Sequence, residues 1–135
     1  MVLGRVLVVD DDPAVRKSVR LILSKAGYDV VEAEDGEKAI EVFRSGDNPL
    51  MIDTIICDIY MPKMNGMEAI AYFRSQFPSV PVIAWTGQAD MQWADSLFKL
   101  GVVHFLVKPV EPEKLTAVVN LTTREHVLLK DKFKA

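Results

Sequence analysis

Apolar positions along this chain come in two alternating patterns: short unbroken runs, and longer stretches spaced at helical intervals. Arg5–Asp10 (RVLVVD) is a β-branched run that stops abruptly at charge, as a strand buried on both faces of a parallel sheet does. Pro13 follows where a first helical turn tolerates proline, with Asp12 placed to cap it. Val15, Val19, Ile22, Leu23 and Ala26 then recur at helical spacing up to a stop at Gly27. Asp29–Ala33 predicts a second strand. Glu37–Arg44 predicts a helix with Ala39, Ile40 and Phe43 inward, ended by the loop-forming stretch that begins Ser45-Gly46-Asp47-Asn48-Pro49. Thr54–Asp58 is a third strand, followed by the loop Ile59–Gly66. The next helix runs to about Phe77, with Met67, Ile70, Ala71 and Phe73 as its apolar positions. Val80–Trp85 is a fourth strand. Asp90–Leu100 is the fourth helix, with Met91, Ala94, Leu97 and Phe98 as its inner stripe and Trp93 beside it. Val102–Val107 is a fifth strand, and Glu113 opens the last helix. Strands that alternate with helices in this way predict an α/β fold, a parallel sheet covered on both faces by right-handed crossovers.

Composition narrows the class. At 135 residues and 50% hydrophobic, the chain has one domain's length and can bury a substantial core. No apolar run reaches the roughly 18 residues of a membrane span. The N-terminal apolar stretch Val6–Val9 is too short for a signal peptide and ends in three aspartates. A single cysteine, Cys57, excludes an intrachain disulfide and predicts a cytoplasmic location. The net charge of −3 argues against direct nucleic-acid binding.

Chemistry shows where polarity interrupts the strands. Asp10 and Asp11 end the first strand, Asp58 the third, Thr86 the fourth and Lys108 the fifth, each at the carboxyl edge where open α/β sheets place their sites. Three carboxylates gathered there would repel one another, and a hard cation with oxygen ligands relieves that repulsion; Mg²⁺ suits a site of few carboxylates. Lys108 and Thr86 add a positive charge and a hydroxyl suited to an anion, so the set reads as metal, phosphoryl group and carboxylate nucleophile. Any one of these residues alone is more often a cap or a solvated side chain, and Asp12 is read as a cap only. Five at one edge are not so easily explained.

Four motifs at these strand ends resemble the receiver domains of two-component response regulators: Val8-Val9-Asp10-Asp11, then Cys57-Asp58-Ile59-Tyr60-Met61-Pro62-Lys63-Met64-Asn65-Gly66, then Trp85-Thr86-Gly87, and Phe105-Leu106-Val107-Lys108-Pro109. The resemblance covers residues 5 to about 120. It implies a flavodoxin-like doubly wound sheet of order 2-1-3-4-5, with residues 1–121 as receiver and 122–135 as a helical C-terminal tail. It implies that Asp58 accepts a phosphoryl group from a sensor histidine kinase or phosphotransfer protein, with Lys108 and Thr86 assisting. Asp11, Asp58 and the backbone carbonyl of Tyr60 would bind Mg²⁺ directly, and Asp10 through a water. Thr86 and Phe105 would be the switch pair, Tyr60 and Gln88 would tune the phosphoryl lifetime, and the Lys108–Pro109 peptide would be cis. Gly66 would supply an unusual turn conformation.

Departures from the common pattern are the long Ser45–Ile52 loop, Phe105 where many relatives have tyrosine, and the bulky Trp85, read as a core residue. A phosphatase resembling the haloacid dehalogenase superfamily, with Asp10 as nucleophile, is the main rival, and a phosphorylation-independent interaction domain is another. Leu121-Thr122-Thr123-Arg124-Glu125 resembles the opening of a helix-turn-helix domain, but too little chain remains before Ala135 for a recognition helix. Thr122 and Glu125 fit a capping box starting a short extra helix instead. Output is expected through the fourth helix, fifth strand and fifth helix, with Val127, Leu128 and Leu129 offering an apolar patch for a partner or a homodimer.

Overall fold

A computed structural model of the chain describes residues 2–61, 65–87 and 92–132. Five strands, β1 (Arg5–Val9), β2 (Asp29–Ala33), β3 (Ile52–Asp58), β4 (Val82–Thr86) and β5 (His104–Val107), form one sheet of order β2-β1-β3-β4-β5. Every neighbouring pair is parallel. Helices α1 (Pro13–Lys25), α2 (Gly36–Phe43), α3 (Asn48–Met51), α4 (Gly66–Gln76), α5 (Gln92–Leu100) and α6 (Pro112–Lys132) connect and extend the strands. This is the doubly wound, flavodoxin-like arrangement that the sequence led us to expect.

Alternation along the strands divides the core in two. Leu7, Val9, Ile55, Cys57, Val82 and Ala84 face α2, α4 and α5, where Phe43 packs on Phe73 and Phe77. Val6, Val8, Ile56, Ile83, Trp85 and Leu106 face the other way, with Val19 and Leu23 of α1 and Leu115 and Val119 of α6. The central strand β3 is buried along its whole length, the pattern a doubly covered strand requires.

Local chemistry sets the boundaries. Asp12 caps α1 by accepting from the Ala14 N–H at 2.9 Å, Asp35 caps α2, and Asn65 caps α4. Gly27 takes φ +104° just past α1, the left-handed conformation that glycine adopts without penalty.

The structure corrects four expectations. The Ser45–Ile52 segment is not all loop, because Asn48–Met51 form the single turn α3, with Pro49 at its start. The helix expected to be fourth is therefore α5, and the last is α6. Phe98 is not on the inner stripe: Ala94 and Leu97 are buried but Phe98 is 51% exposed. Gly66 does not have a positive φ, and its role is set by close approach instead. Thr122 and Glu125 start no new helix, since α6 runs unbroken from Pro112 to Lys132. Thr122 instead points inward, where its hydroxyl and that of Thr123 each lie 2.9 Å from the Thr54 hydroxyl, and His126 Nδ1 lies 2.8 Å from the Asp53 carboxylate.

Candidate functional site

Four strand ends build the site, and the register decides which side chains share a level. Val9 pairs with Cys57, so the next residues, Asp10 and Asp58, stand side by side; Asp58 pairs with Trp85, and Trp85 with Leu106. Asp10 is fully buried. Its carboxylate accepts from the Asp12 N–H at 2.9 Å and from Lys108 Nζ at 2.5 Å. Lys108 Nζ also donates to Asp58 Oδ2 at 3.0 Å, and the Tyr60 N–H donates to Asp58 Oδ1 at 3.0 Å. Asp11 is exposed, and one carboxylate oxygen from each of Asp10, Asp11 and Asp58 can be chosen so that all lie within 4.8 Å of one another.

Thr86 is buried beside this group, and its carbonyl accepts from the Lys108 N–H at 2.7 Å. Phe105 is half-buried and packs on the other face of the sheet, with the α2–α4–α5 core. Tyr60 lies at the rim, 37% exposed. The Lys108–Pro109 peptide is cis. Pro62, Lys63, Met64, Gln88, Met91 and the side chain of Trp93 lie outside the described residues.

Burial and charge pull the ionisable groups in opposite directions. Burial raises the Asp58 carboxyl above the ordinary aspartate value, although the Tyr60 N–H and Lys108 both oppose it. Burial would lower the Lys108 ammonium, but its hydrogen bonds to Asp10 and Asp58 outweigh that and hold it above the ordinary lysine value. The Cys57 thiol is pushed far up by burial and by its neighbouring carboxylates, so it is no nucleophile. Asp10, the nucleophile of the phosphatase reading, is fully buried and accepts from the Asp12 N–H and from Lys108.

Two contacts of this neighbourhood were not anticipated. Arg16 reaches back from α1 to donate to the Asp10 carbonyl at 2.6 Å and to Glu32 at 3.3 Å, while Arg20 holds the other Glu32 oxygen at 2.5 Å. An arginine one turn into a helix that leaves an acidic strand end is the only sequence signal for it. The second is made by Trp85, which is buried as expected but whose ring lies 5.0 Å from Lys108 Nζ.

A sheet with order 2-1-3-4-5 and an acidic cluster at the carboxyl ends of its first and third strands defines a receiver domain. The family profile for the response regulator receiver domain matches residues 6–120. The transcriptional regulatory protein FixJ of Bradyrhizobium diazoefficiens is 31% identical over 122 residues, which are 90% of this chain and 58% of FixJ. The chemotaxis protein CheY of Thermotoga maritima is 32% identical over 121 residues, 89% of this chain and 98% of CheY. Among solved structures, the Thermotoga maritima response regulator TrrA in complex with Mg²⁺ and BeF superposes with a TM-score of 0.77 at 29% identity, covering 88% of this chain and 98% of that one. The chain belongs to the response regulator receiver domain family. It spans little more than half the length of FixJ. Receiver domains are signalling switches rather than ordinary enzymes; they bind Mg²⁺ at an acidic pocket and are paired with histidine kinases or phosphotransfer proteins. No described helix of this chain is long and apolar enough to cross a membrane.

Proposed function

We propose that this domain is a Mg²⁺-dependent phosphoacceptor switch with Asp58 as the accepting residue. The observation that carries this reading is that Asp10 and Asp58 share Lys108, with Asp11 exposed beside them and one oxygen from each of the three carboxylates within 4.8 Å of the others. Two of the negative charges have one lysine between them, and the third faces solvent. Asp11, Asp58 and the Tyr60 carbonyl would hold the ion directly and Asp10 through a water, a few-carboxylate oxygen set that fits Mg²⁺. Bound there, Mg²⁺ would neutralise the charge that builds up on the phosphoryl oxygens.

Asp58 would attack the phosphorus of a phosphohistidine on the partner. A carboxylate-oxygen-to-phosphorus bond forms, the phosphorus–nitrogen bond breaks, and the imidazole leaves with its electron pair. Lys108 would pass from the carboxylate to the phosphoryl oxygens, and Thr86 would swing toward them. Phe105 would turn inward behind Thr86. Tyr60 at the rim would shield the acyl phosphate, and Gln88 would join it in tuning the phosphoryl lifetime. The division into receiver residues 1–121 and a tail at 122–135, drawn from the family resemblance, falls inside the unbroken helix α6, so the first residues of that tail, Thr122, Thr123 and His126, would belong with the receiver they pack against.

Output would leave through α5, β5 and α6. Phe98, Val103 and Val107 support this face, because they are large, apolar and between 40% and 51% exposed on or next to the strand and helix that flank Thr86 and Phe105. Leu128 and Leu129 extend an apolar surface along α6, suited to a partner or a second copy. Phosphorylation would shift the population between two arrangements of this face.

Mass spectrometry tests the chemistry. Acetyl phosphate with Mg²⁺ should add one phosphate, EDTA should prevent it, and Asp58→Asn should abolish it. Phosphate persisting on Asp10 or Asp11 in that variant would overturn the assignment.

A further inference from the structure

Lys108 has to cross the sheet to do its work. It leaves the end of β5, yet its ammonium bonds to Asp58 at the end of β3 and to Asp10 beyond β1, so its stem passes over β4. The β4 residue at that level is Trp85, paired with Asp58 on one side and with Leu106 on the other. Side chains at Asp10, Asp58, Trp85 and Leu106 all rise from the face toward α1 and α6, and Trp85 is the largest of them. Its ring centroid lies 5.0 Å from Lys108 Nζ, within the range of a cation–π contact.

A packing role alone explains this tryptophan poorly. Trp85 is 3% exposed, and among the described residues its indole Nε1 has no hydrogen-bond partner. Burying that N–H unpaired costs free energy that a leucine or phenylalanine at the same place would avoid. What only an aromatic face supplies is a negative surface beneath the ammonium. Such a surface attracts the charge without using any of its N–H groups. Two of the three N–H donors of Lys108 are engaged by Asp10 and Asp58, and a π contact leaves the third for an incoming oxygen.

We propose that Trp85 is a positioning residue for Lys108: it is the platform that holds the ammonium at the level of both carboxylates and presents its remaining donor to the phosphoryl group. This rests on the phosphoacceptor reading of the site and adds a residue to it. The ring contributes through Lys108 and not through the metal ligands, so phosphorylation and Mg²⁺ binding should respond differently to its loss.

The test compares Trp85→Phe and Trp85→Leu in the full chain, following acetyl-phosphate-dependent phosphorylation by mass spectrometry and Mg²⁺ binding by calorimetry. Trp85→Leu should slow phosphorylation about three- to tenfold, and Trp85→Phe should restore most of the rate, because a cation–π contact is the difference between them. Mg²⁺ affinity should stay within about twofold of wild type in both, since no carboxylate has changed. In a Lys108→Met background, Trp85→Leu should have no further effect. If Trp85→Leu fails to fold, 5-fluorotryptophan in a Trp93→Phe background replaces it; fluorine drains the ring face without changing its shape, and the rate should fall. Phenylalanine and leucine variants that behave alike, a fluorinated protein as fast as its parent, or a leucine effect that survives without Lys108 would each overturn the proposal. A wild-type chain that takes no phosphate on Asp58 would instead overturn the underlying reading, so the two failures are distinguishable.

Discussion

Gly66 begins α4 directly against the backbone at the end of β3. A Cβ built on it would run into the carbonyl oxygen of Asp58 and the Cα of Ile59, and neither is a flexible side chain that could give way. Gly66→Ala is therefore expected to push the Asp58–Ile59 backbone aside and to lower stability by about 2–3 kcal/mol, as overpacking does. Urea denaturation would measure it, and an unchanged midpoint would show that the loop yields freely. Asp58 gives a second expectation at this scale. Its carboxyl is raised above the ordinary aspartate value, mainly by burial, so the folded state holds the proton more tightly than the unfolded chain. The stability linked to that proton is fully present below the ordinary aspartate value and is lost as pH rises through the raised one. In EDTA, Asp58→Asn should consequently be more stable than wild type at neutral pH. That advantage should shrink as the pH falls toward 4, the range of an unperturbed aspartate, and denaturation curves at several pH values check the sign. The acidic residues were legible in the sequence because strand ends are marked by charge. The contact that fixes Gly66 was not, because only the packing of α4 on β3 creates it.

Among the elements, α6 carries the clearest surprise. Its first turns complete the core with Leu115 and Val119, and its later turns lay Thr122, Thr123 and His126 over Thr54 and Asp53 at the start of β3. All five are buried, so the polar groups must satisfy one another. His126→Ala should cost about 2 kcal/mol by leaving the Asp53 carboxylate short of a partner. It should also speed amide exchange over residues 121–129, read by hydrogen–deuterium mass spectrometry, and exchange no faster than wild type would show that the pair contributes nothing. The strands and most helices were readable from periodicity, because core faces repeat at 2 or 3.6 residues. The one-turn α3 was not, because Pro and Asn signal a turn whether or not it closes into helix. Thr122 and Glu125 misled in the opposite direction: a capping box is a local pattern, and burial against Thr54 overrode it.

At the scale of the whole molecule, two surfaces differ in character. The carboxyl edge of the sheet gathers charge, and the face formed by α5, β5 and α6 leaves apolar side chains in solvent. Phe98→Ser should weaken phosphorylation-dependent association about tenfold, the scale of losing one buried aromatic anchor. It should leave the phosphate on Asp58 intact, and analytical ultracentrifugation with and without acetyl phosphate would show it. Association that is indifferent to Phe98 would move the output face elsewhere. Phe98 was expected inward from helical spacing, and its exposure is what makes it available here.

The seam between α6 and β3 also bears on how such a domain passes from one protein to another. Recombination that joins a receiver to a new output module at its family boundary, near residue 120, would leave Thr122, Thr123 and His126 behind. Asp53 and Thr54 would then be uncovered beneath whatever sequence the new module supplied. A transplant of this receiver has to carry its own helix through at least Val127, and a junction placed there inherits the polar seam as part of the domain rather than as part of the linker.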